Sequence, residues 1–317
     1  MKRRTRVDTT TRLGPLVLVN PIIAASGTFG HGAEFAHVCP PRELGAVTVK
    51  SLAPFEWHGN PPLRTTEAPG GAMLNSVGLA GPGIGAWLRD DLPSLAASGA
   101  TVIVSAWGRT VADYAAVAAA VQTHRSDTRG GPVAAVELNL SCPNLDGGRH
   151  MFAVDPTASA AVVAATVAVT DLPVFGKLTA ATDDLVAVAR AVVDAGATGL
   201  TLINTLPGLA IDAAERRPVL GAGGGGLSGP PLKPVALRAV AEIARALPGV
   251  PIIGTGGVTT GSDAVEMLLA GAAAVGVGTA TFAEPRATIR IRDELARWCA
   301  RHAIVSTHEL SGGLQWA

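Results

Sequence analysis

The sequence predicts an α/β protein, a single (β/α)₈ TIM barrel with long loops over its C-terminal mouth, and three observations carry that reading. Short strand-like runs alternate with Ala-rich helical segments along nearly all of the 317 residues, as repeated βα units joined by right-handed crossovers do. About eight such units can be placed, the number that closes a barrel. Apolar residues make up 48% of the chain and aromatics only 4%, so the core must be built from Ala, Val, Leu and Ile, which suit parallel strands covered by helices.

Taken in order, the strands are expected at 20–26, 46–51, 101–107, 134–141, 174–179, 199–205, 251–257 and 272–280. Helical segments follow at 84–98, 111–124, 154–169, 182–195, 234–247, 261–270 and 285–302, and the first connection, near 32–38, is very short. Thr110, Asp155 and Ser262 stand near helix starts, where a side-chain oxygen can cap free amides. Two connections, 52–83 and 206–233, exceed ordinary βα loops, and in a barrel such excess usually covers the active-site mouth. The glycine run from Gly223 to Gly226 falls inside the second of them. Within a repeating frame it reads as a mobile loop and not a domain boundary, so residues 1–317 are expected to form one domain.

Composition narrows the function classes. With 25 basic and 25 acidic residues, no field draws in nucleic acid or anionic lipid. Cys39, Cys142 and Cys299 are odd in number and far apart, which fits a reducing cytoplasm better than a disulfide framework. The basic start MKRRTR is followed by an apolar stretch broken at Gly14, Asn20 and Pro21, so no export signal is read. No uninterrupted apolar run approaches the ~20 residues of a membrane helix.

Polar residues interrupt the apolar strands near their C-terminal ends. Ser26, Lys50 with Ser51, Ser105, Asn139 with Cys142, Lys177, and Asn204 with Thr205 come from six different strands. A lone strand-end Lys or Asn is ordinarily solvated, but in a closed barrel all of these converge on one rim. The last two strands end in Gly254-Thr255-Gly256-Gly257 and Gly276-Val277-Gly278-Thr279 with helical segments after them. Glycine admits an anion close to the backbone, and a helix N-terminus adds a favourable field, so a phosphorylated cofactor or substrate is expected there. Lys50 and Lys177 call for an anion or an electron-rich acceptor such as the pyrimidine edge of a reduced flavin. Asn75, Asn139, Asn144 and Asn204 each offer a paired donor and acceptor, suited to a planar, multiply hydrogen-bonding ring. Cys142, in a mouth loop with polar neighbours, is a candidate proton acceptor. Cys39 and Cys299 have no such setting, and neither cysteine nor histidine spacing supports a metal site.

The segments Ala25-Ser26-Gly27-Thr28-Phe29-Gly30, Val49-Lys50-Ser51, Gly59-Asn60-Pro61, Met73-Leu74-Asn75-Ser76-Val77-Gly78-Leu79 and Asn139-Leu140-Ser141-Cys142-Pro143-Asn144 resemble the class 1 dihydroorotate dehydrogenases. The likeness continues through Ile203-Asn204-Thr205-Leu206, Gly226-Leu227-Ser228-Gly229-Pro230, Gly256-Gly257-Val258 and Val277-Gly278-Thr279-Ala280, in the family's order over roughly residues 14 to 285. It implies FMN-dependent oxidation of (S)-dihydroorotate to orotate in pyrimidine biosynthesis. The implied FMN contacts are Ser26, Lys50, Ser51, Ser105, Asn139, Lys177, Ile203, Gly229, Gly256, Gly257, Gly278 and Thr279. The implied substrate contacts are Lys50, Asn75, Ser76, Val77, Gly78, Leu79, Asn139, Asn144, Asn204 and Thr205, with Cys142 as the catalytic base. The loop ending in Gly226-Leu227-Ser228-Gly229-Pro230 resembles subtype B, although Ser105 stands where that subtype usually has asparagine. The resemblance to the family implies a homodimeric core, and subtype B implies an electron-transfer subunit carrying FAD and a 2Fe-2S cluster. Two alternatives remain at this point: a flavin enzyme acting on another dihydropyrimidine, and a catalytically silent barrel serving as a binding subunit.

Overall fold

The structure, a computed structural model of the chain, describes residues 7–128, 131–141 and 152–316. Eight parallel strands close a barrel in sequence order: β1 (Ile22–Ala24), β2 (Ala46–Thr48), β3 (Val102–Ala106), β4 (Val133–Asn139), β5 (Val174–Leu178), β6 (Gly199–Leu202), β7 (Ile252–Thr255) and β8 (Ala274–Val277). The circle is completed by β8 against β1, with Val275 opposite Ile22 and Val277 opposite Ala24. All eight expected strands are present, most of them shorter than expected, and the fourth begins one residue earlier, at Val133.

Alternation along each strand stacks the interior in layers. The lowest is apolar: Ile23, Ala46, Ile103, Ala135, Phe175, Ile253 and Ala274 form one buried cluster with Leu13 and Leu18. Gly199 leaves the room on β6, since a Cβ there would lie 2.7 Å from the Phe175 ring. Leu13 and Leu18 come from a hairpin that the sequence reading missed, Thr11–Leu13 with Leu16–Leu18, whose apolar residues plug this end. Two residues further along the strands the inner positions turn polar, with Thr48, Ser105, Glu137, Lys177, Thr201 and Thr255 all buried.

Outside the strands lie α1 (Ile84–Asp90), α2 (Leu92–Ala97), α3 (Val111–Asp127), α4 (Pro156–Val167), α5 (Leu185–Asp194), α6 (Lys233–Ala246), α7 (Gly261–Ala270), α8 (Ala280–Ala283) and α9 (Ala287–Arg301). The segment expected as one helix at 84–98 breaks at Asp91, and a proline sits in the first turn of α2, where its missing N–H costs nothing. Thr110 caps α3 in a reciprocal box with Asp113, and Asp155 accepts the amides of Thr157 and Ala158. Ser262 is not a cap: Thr260 holds that place on α7, taking the Asp263 amide, and Ser262 sits inside the first turn.

The two long connections meet each other. Thr65–Ala68 and Ala72–Asn75 form a hairpin, and Gly225–Ser228 and Leu206–Gly208 extend it into a four-stranded antiparallel sheet. The glycine run therefore ends in a strand and not in the expected mobile loop. Gly226 pairs with Asn75, and any side chain there would run into Thr205. No described helix is long and apolar enough to cross a membrane.

Candidate active site

One cavity opens at the C-terminal ends of the barrel strands, roofed on one side by the antiparallel sheet, with about 1160 Å³ of empty space including its open mouth. Ser26, Lys50, Ser51, Asn139, Lys177 and Ile203 reach it from the ends of β1, β2, β4, β5 and β6. Gly229, Gly256, Gly257, Gly278 and Thr279 line the side below α6 and beyond β7 and β8. Asn75, Val77, Gly78 and Leu79 descend from the roof, and Asn204 and Thr205 follow β6. Two of the expected contacts do not line the cavity. Ser105 is fully buried one layer beneath it, and Ser76 turns away to accept a hydrogen bond from Asn60 Nδ2 at 2.8 Å. Cys142 and Asn144 lie outside the described residues.

The polar floor is a continuous hydrogen-bonded chain. Ser26 Oγ donates to Val49 O at 2.9 Å and lies 3.4 Å from Ser51 Oγ, which is 2.8 Å from Ser105 Oγ. Asn139 Nδ2 donates to Ser51 Oγ at 3.1 Å, and Asn139 Oδ1 accepts from Asn204 Nδ2 at 3.1 Å. Asn204 Nδ2 also reaches Ser141 Oγ at 3.0 Å, and its Oδ1 accepts the Thr205 amide at 2.8 Å. Ser105 thus acts on the cavity at one remove, by fixing Ser51. Ser141, fully buried, leads the chain straight to Cys142.

Charge on the floor is carried by two lysines. Lys177 is 7% exposed, opposite Asn139 in the strand register, and its Nζ is 3.6 Å from Glu137 Oε1. Lys50 is half-buried and influences His31, whose pKa is lowered first by burial and then by the Lys50 charge. His31 is therefore a neutral ring at physiological pH.

The glycine turns differ in what demands them. Gly256 and Gly257 both have positive φ, and a Cβ would lie 2.8 Å from Ala236 Cβ at the first and 2.6 Å from the Lys233 amide nitrogen at the second. Close packing of α6 forbids side chains there. At Gly278 a Cβ would meet only ordinary contacts, Thr28 Cγ2 at 3.6 Å and Ala25 Cβ at 3.7 Å. The field expected from the α7 N-terminus is largely taken by the protein itself. Burial works to raise the Asp263 pKa, but hydrogen bonds from Lys233, Thr259 and Thr260 outweigh it and hold this carboxyl at about 2. The resulting carboxylate accepts the Thr259 and Thr260 amides at 2.9 and 2.8 Å.

Sequence reading missed several lining residues, among them Thr28, Met73, Thr255 and Phe282. Thr28, Met73 and Thr255 stand within the segments 25–30, 73–79 and 254–257 and were recoverable from the sequence. Phe282, 55% exposed at the rim, carried no signal beyond being an aromatic in an aromatic-poor chain. The roof loop is conformationally constrained: Leu79 has φ 61°, unusual outside glycine, and Trp57 Nε1 donates to Gly78 O at 2.9 Å.

Compared with known proteins, residues 9–298 match the family model described as dihydroorotate dehydrogenase. The chain belongs to the dihydroorotate dehydrogenase family. Relatives agree over nearly full length. A protein of Alkaliphilus metalliredigens, named dihydroorotate dehydrogenase B (NAD(+)), catalytic subunit, is 43% identical over 98% of this chain and 100% of its own. One of Pelobacter propionicus with the same name is 44% identical over 97% and 99%. In fold the chain is similar to a dihydroorotate dehydrogenase of Eimeria tenella solved in complex with ferulenol, with TM-score 0.78 at 22% identity, covering 99% of this chain and 90% of that one.

Proposed function

We propose that this chain is the catalytic subunit of a dihydroorotate dehydrogenase of the NAD-linked type, oxidising (S)-dihydroorotate to orotate with FMN in the cytoplasm. The observation that carries it is the convergence of two lysines, three asparagines and two glycine turns on one cavity at the barrel mouth. The residues fit a flavin mononucleotide. A buried ammonium, Lys177, faces the cavity, as an electron-rich ring edge requires. Gly278 bears no side chain although the fold itself leaves room for one, which is what a backbone cradle for a ligand needs. The phosphate is assigned to the turns at Gly256-Gly257 and Gly278-Thr279, and the ring system to Ser26, Lys50, Ser51, Asn139, Lys177, Ile203 and Gly229.

When bound, the flavin supplies a two-electron acceptor for the hydrogen at C6 of the substrate. Everything else falls to the chain. Cys142, one residue past buried Ser141, takes the proton from C5. Asn75, Asn139, Asn144, Asn204 and Thr205 hold the ring and carboxylate through paired donors and acceptors, with Lys50 neutralising charge. The Asn139–Asn204 bond at 3.1 Å pre-sets two of those amides, so less ordering entropy is lost on binding. Residues 76–79, with their constrained backbone, close the roof over the substrate, and Ser76 and Ser105 support the site from behind.

The relatives' names support an electron-transfer partner, proposed to carry FAD and a 2Fe-2S cluster, and a homodimeric core is proposed with it. The test is direct. Purified protein is expected to be yellow, and anaerobic addition of dihydroorotate bleaches the flavin band, whereas dihydrouracil does not. Colourless protein that takes up no added FMN, or bleaching by dihydrouracil alone, refutes the assignment.

A further inference from the structure

Between the apolar floor of the barrel and the cavity lies a buried carboxylate that the chemistry above does not use. Glu137, on β4 two residues below Asn139, is 2% exposed. Its Oε2 accepts a hydrogen bond from Thr201 Oγ1 on β6 at 2.8 Å. Its Oε1 is buried and has no hydrogen-bond partner among the described residues, while Lys177 Nζ on β5 stands 3.6 Å away. The two side chains are only 8% and 3% exposed. A buried ion costs several kcal/mol of desolvation, and a glutamine would accept from Thr201 equally well, so that bond does not explain the charge. The 3.6 Å separation leaves the ammonium electrostatically paired but not anchored by a hydrogen bond from below. Its N–H groups remain available to the cavity that Lys177 lines.

We propose that Glu137 is a positioning residue for the flavin chemistry, a fixed negative charge beneath the cavity that holds the Lys177 ammonium between itself and the bound cofactor. It thereby limits how strongly that ammonium favours the reduced flavin. The inference rests on the flavin reading given above. Without cofactor, Lys177 needs a counter-charge and Glu137 supplies it. When reduction adds negative charge to the pyrimidine edge, the same ammonium is shared by two anions and stabilises the new charge less than an unpartnered lysine would.

Glu137→Gln keeps size and the acceptor for Thr201 while removing the charge. In the FMN-loaded variant, equilibrium titration with a redox dye is expected to show a more positive midpoint potential. The preference for reduced over oxidised flavin should rise at least tenfold, about 30 mV for a two-electron couple. In a Lys177→Met background the same substitution should do nothing, because the ammonium through which Glu137 acts is gone. A potential that is unchanged or more negative, or a shift of equal size in both backgrounds, overturns the proposal. A second arm needs no flavin. Each single substitution should lower the thermal midpoint of the cofactor-free protein, and the double variant should recover most of the loss, as paired buried charges do. Simple additivity in the double variant refutes the pairing, even if Glu137→Gln alone is too unstable to load. Failure of the parent to bind any flavin, with the stability cycle intact, rejects the flavin reading and leaves the ion pair standing.

Discussion

Replacing Asn139 by alanine tests whether the polar floor is an energetic unit. The side chain is 7% exposed and makes two hydrogen bonds, donating to Ser51 Oγ and accepting from Asn204 Nδ2, each 3.1 Å. Neither partner is stranded by its loss. Ser51 keeps Ser105 at 2.8 Å, and Asn204 keeps Ser141 at 3.0 Å. The Tyr114 hydroxyl bonds to the Asn139 backbone carbonyl and is untouched. The cost is then the net value of two neutral bonds, about 1 kcal/mol each, or about 2 kcal/mol in total. The space vacated borders the cavity, where water can fill it, so no dry-cavity term is added. Urea unfolding of the cofactor-free protein should show a lower midpoint with unchanged slope. A loss under about 0.5 kcal/mol would mean that the bonds contribute nothing, and one above about 4 kcal/mol that a polar group had been left unpaired. Either result refutes the reasoning.

Cys142→Ala should abolish dihydroorotate turnover and leave the flavin spectrum intact, and parent-level activity in that variant removes the base from its role. Asp263, with its folded pKa lowered to about 2 from 3.8, contributes stability that is complete above about pH 4 and lost as pH falls towards 2. Asp263→Asn should therefore cost about 1–2 kcal/mol at neutral pH and flatten the acid limb of a stability-against-pH curve, and an unchanged limb counts against the assignment. Gly257→Ala, whose methyl would lie 2.6 Å from the Lys233 nitrogen at a positive φ, should lower the thermal midpoint before any ligand is added. Gly278→Ala should leave that midpoint within experimental scatter and weaken FMN binding, measured by fluorescence quenching, and equal losses of stability in the two variants contradict the distinction.

Legibility in the sequence followed the range of the interactions involved. The eight barrel strands and their helices are local patterns, an apolar run followed by a helical period, and each appears near its expected place. The mouth sheet is not local. Ala72–Asn75 pairs with Gly225–Ser228 across some 150 positions, and both strands are only four residues long, the second opening on two glycines. The N-terminal hairpin is similarly brief, and its role is visible only once Leu13 and Leu18 are seen inside the barrel end. Within the site, the rule that found Lys177, a polar residue in an apolar strand, applied equally to Glu137 and was not used there. Ser76 and Ser105 show what motif position alone does not convey. Motif position placed them at the site, but Ser105, in the same inner layer as Lys177, has too short a side chain to reach the cavity and is held by Ser51, and Ser76 is held by Asn60.

Glycine shows most sharply where sequence stops. A Gly-Gly after a barrel strand has two physical explanations, a backbone that must bend or pack where no Cβ fits, and a backbone that must approach something outside the chain. Gly256 and Gly257 satisfy the first without reference to any ligand, because Ala236 and Lys233 of α6 occupy the space. Gly278 does not, since its missing Cβ would touch Thr28 and Ala25 at ordinary distances. Both of those neighbours line the cavity, so a methyl at 278 would project into space that the protein alone does not need. The case for a bound anion at this corner therefore rests more on the glycine that looks least constrained than on the pair that looks most like a motif.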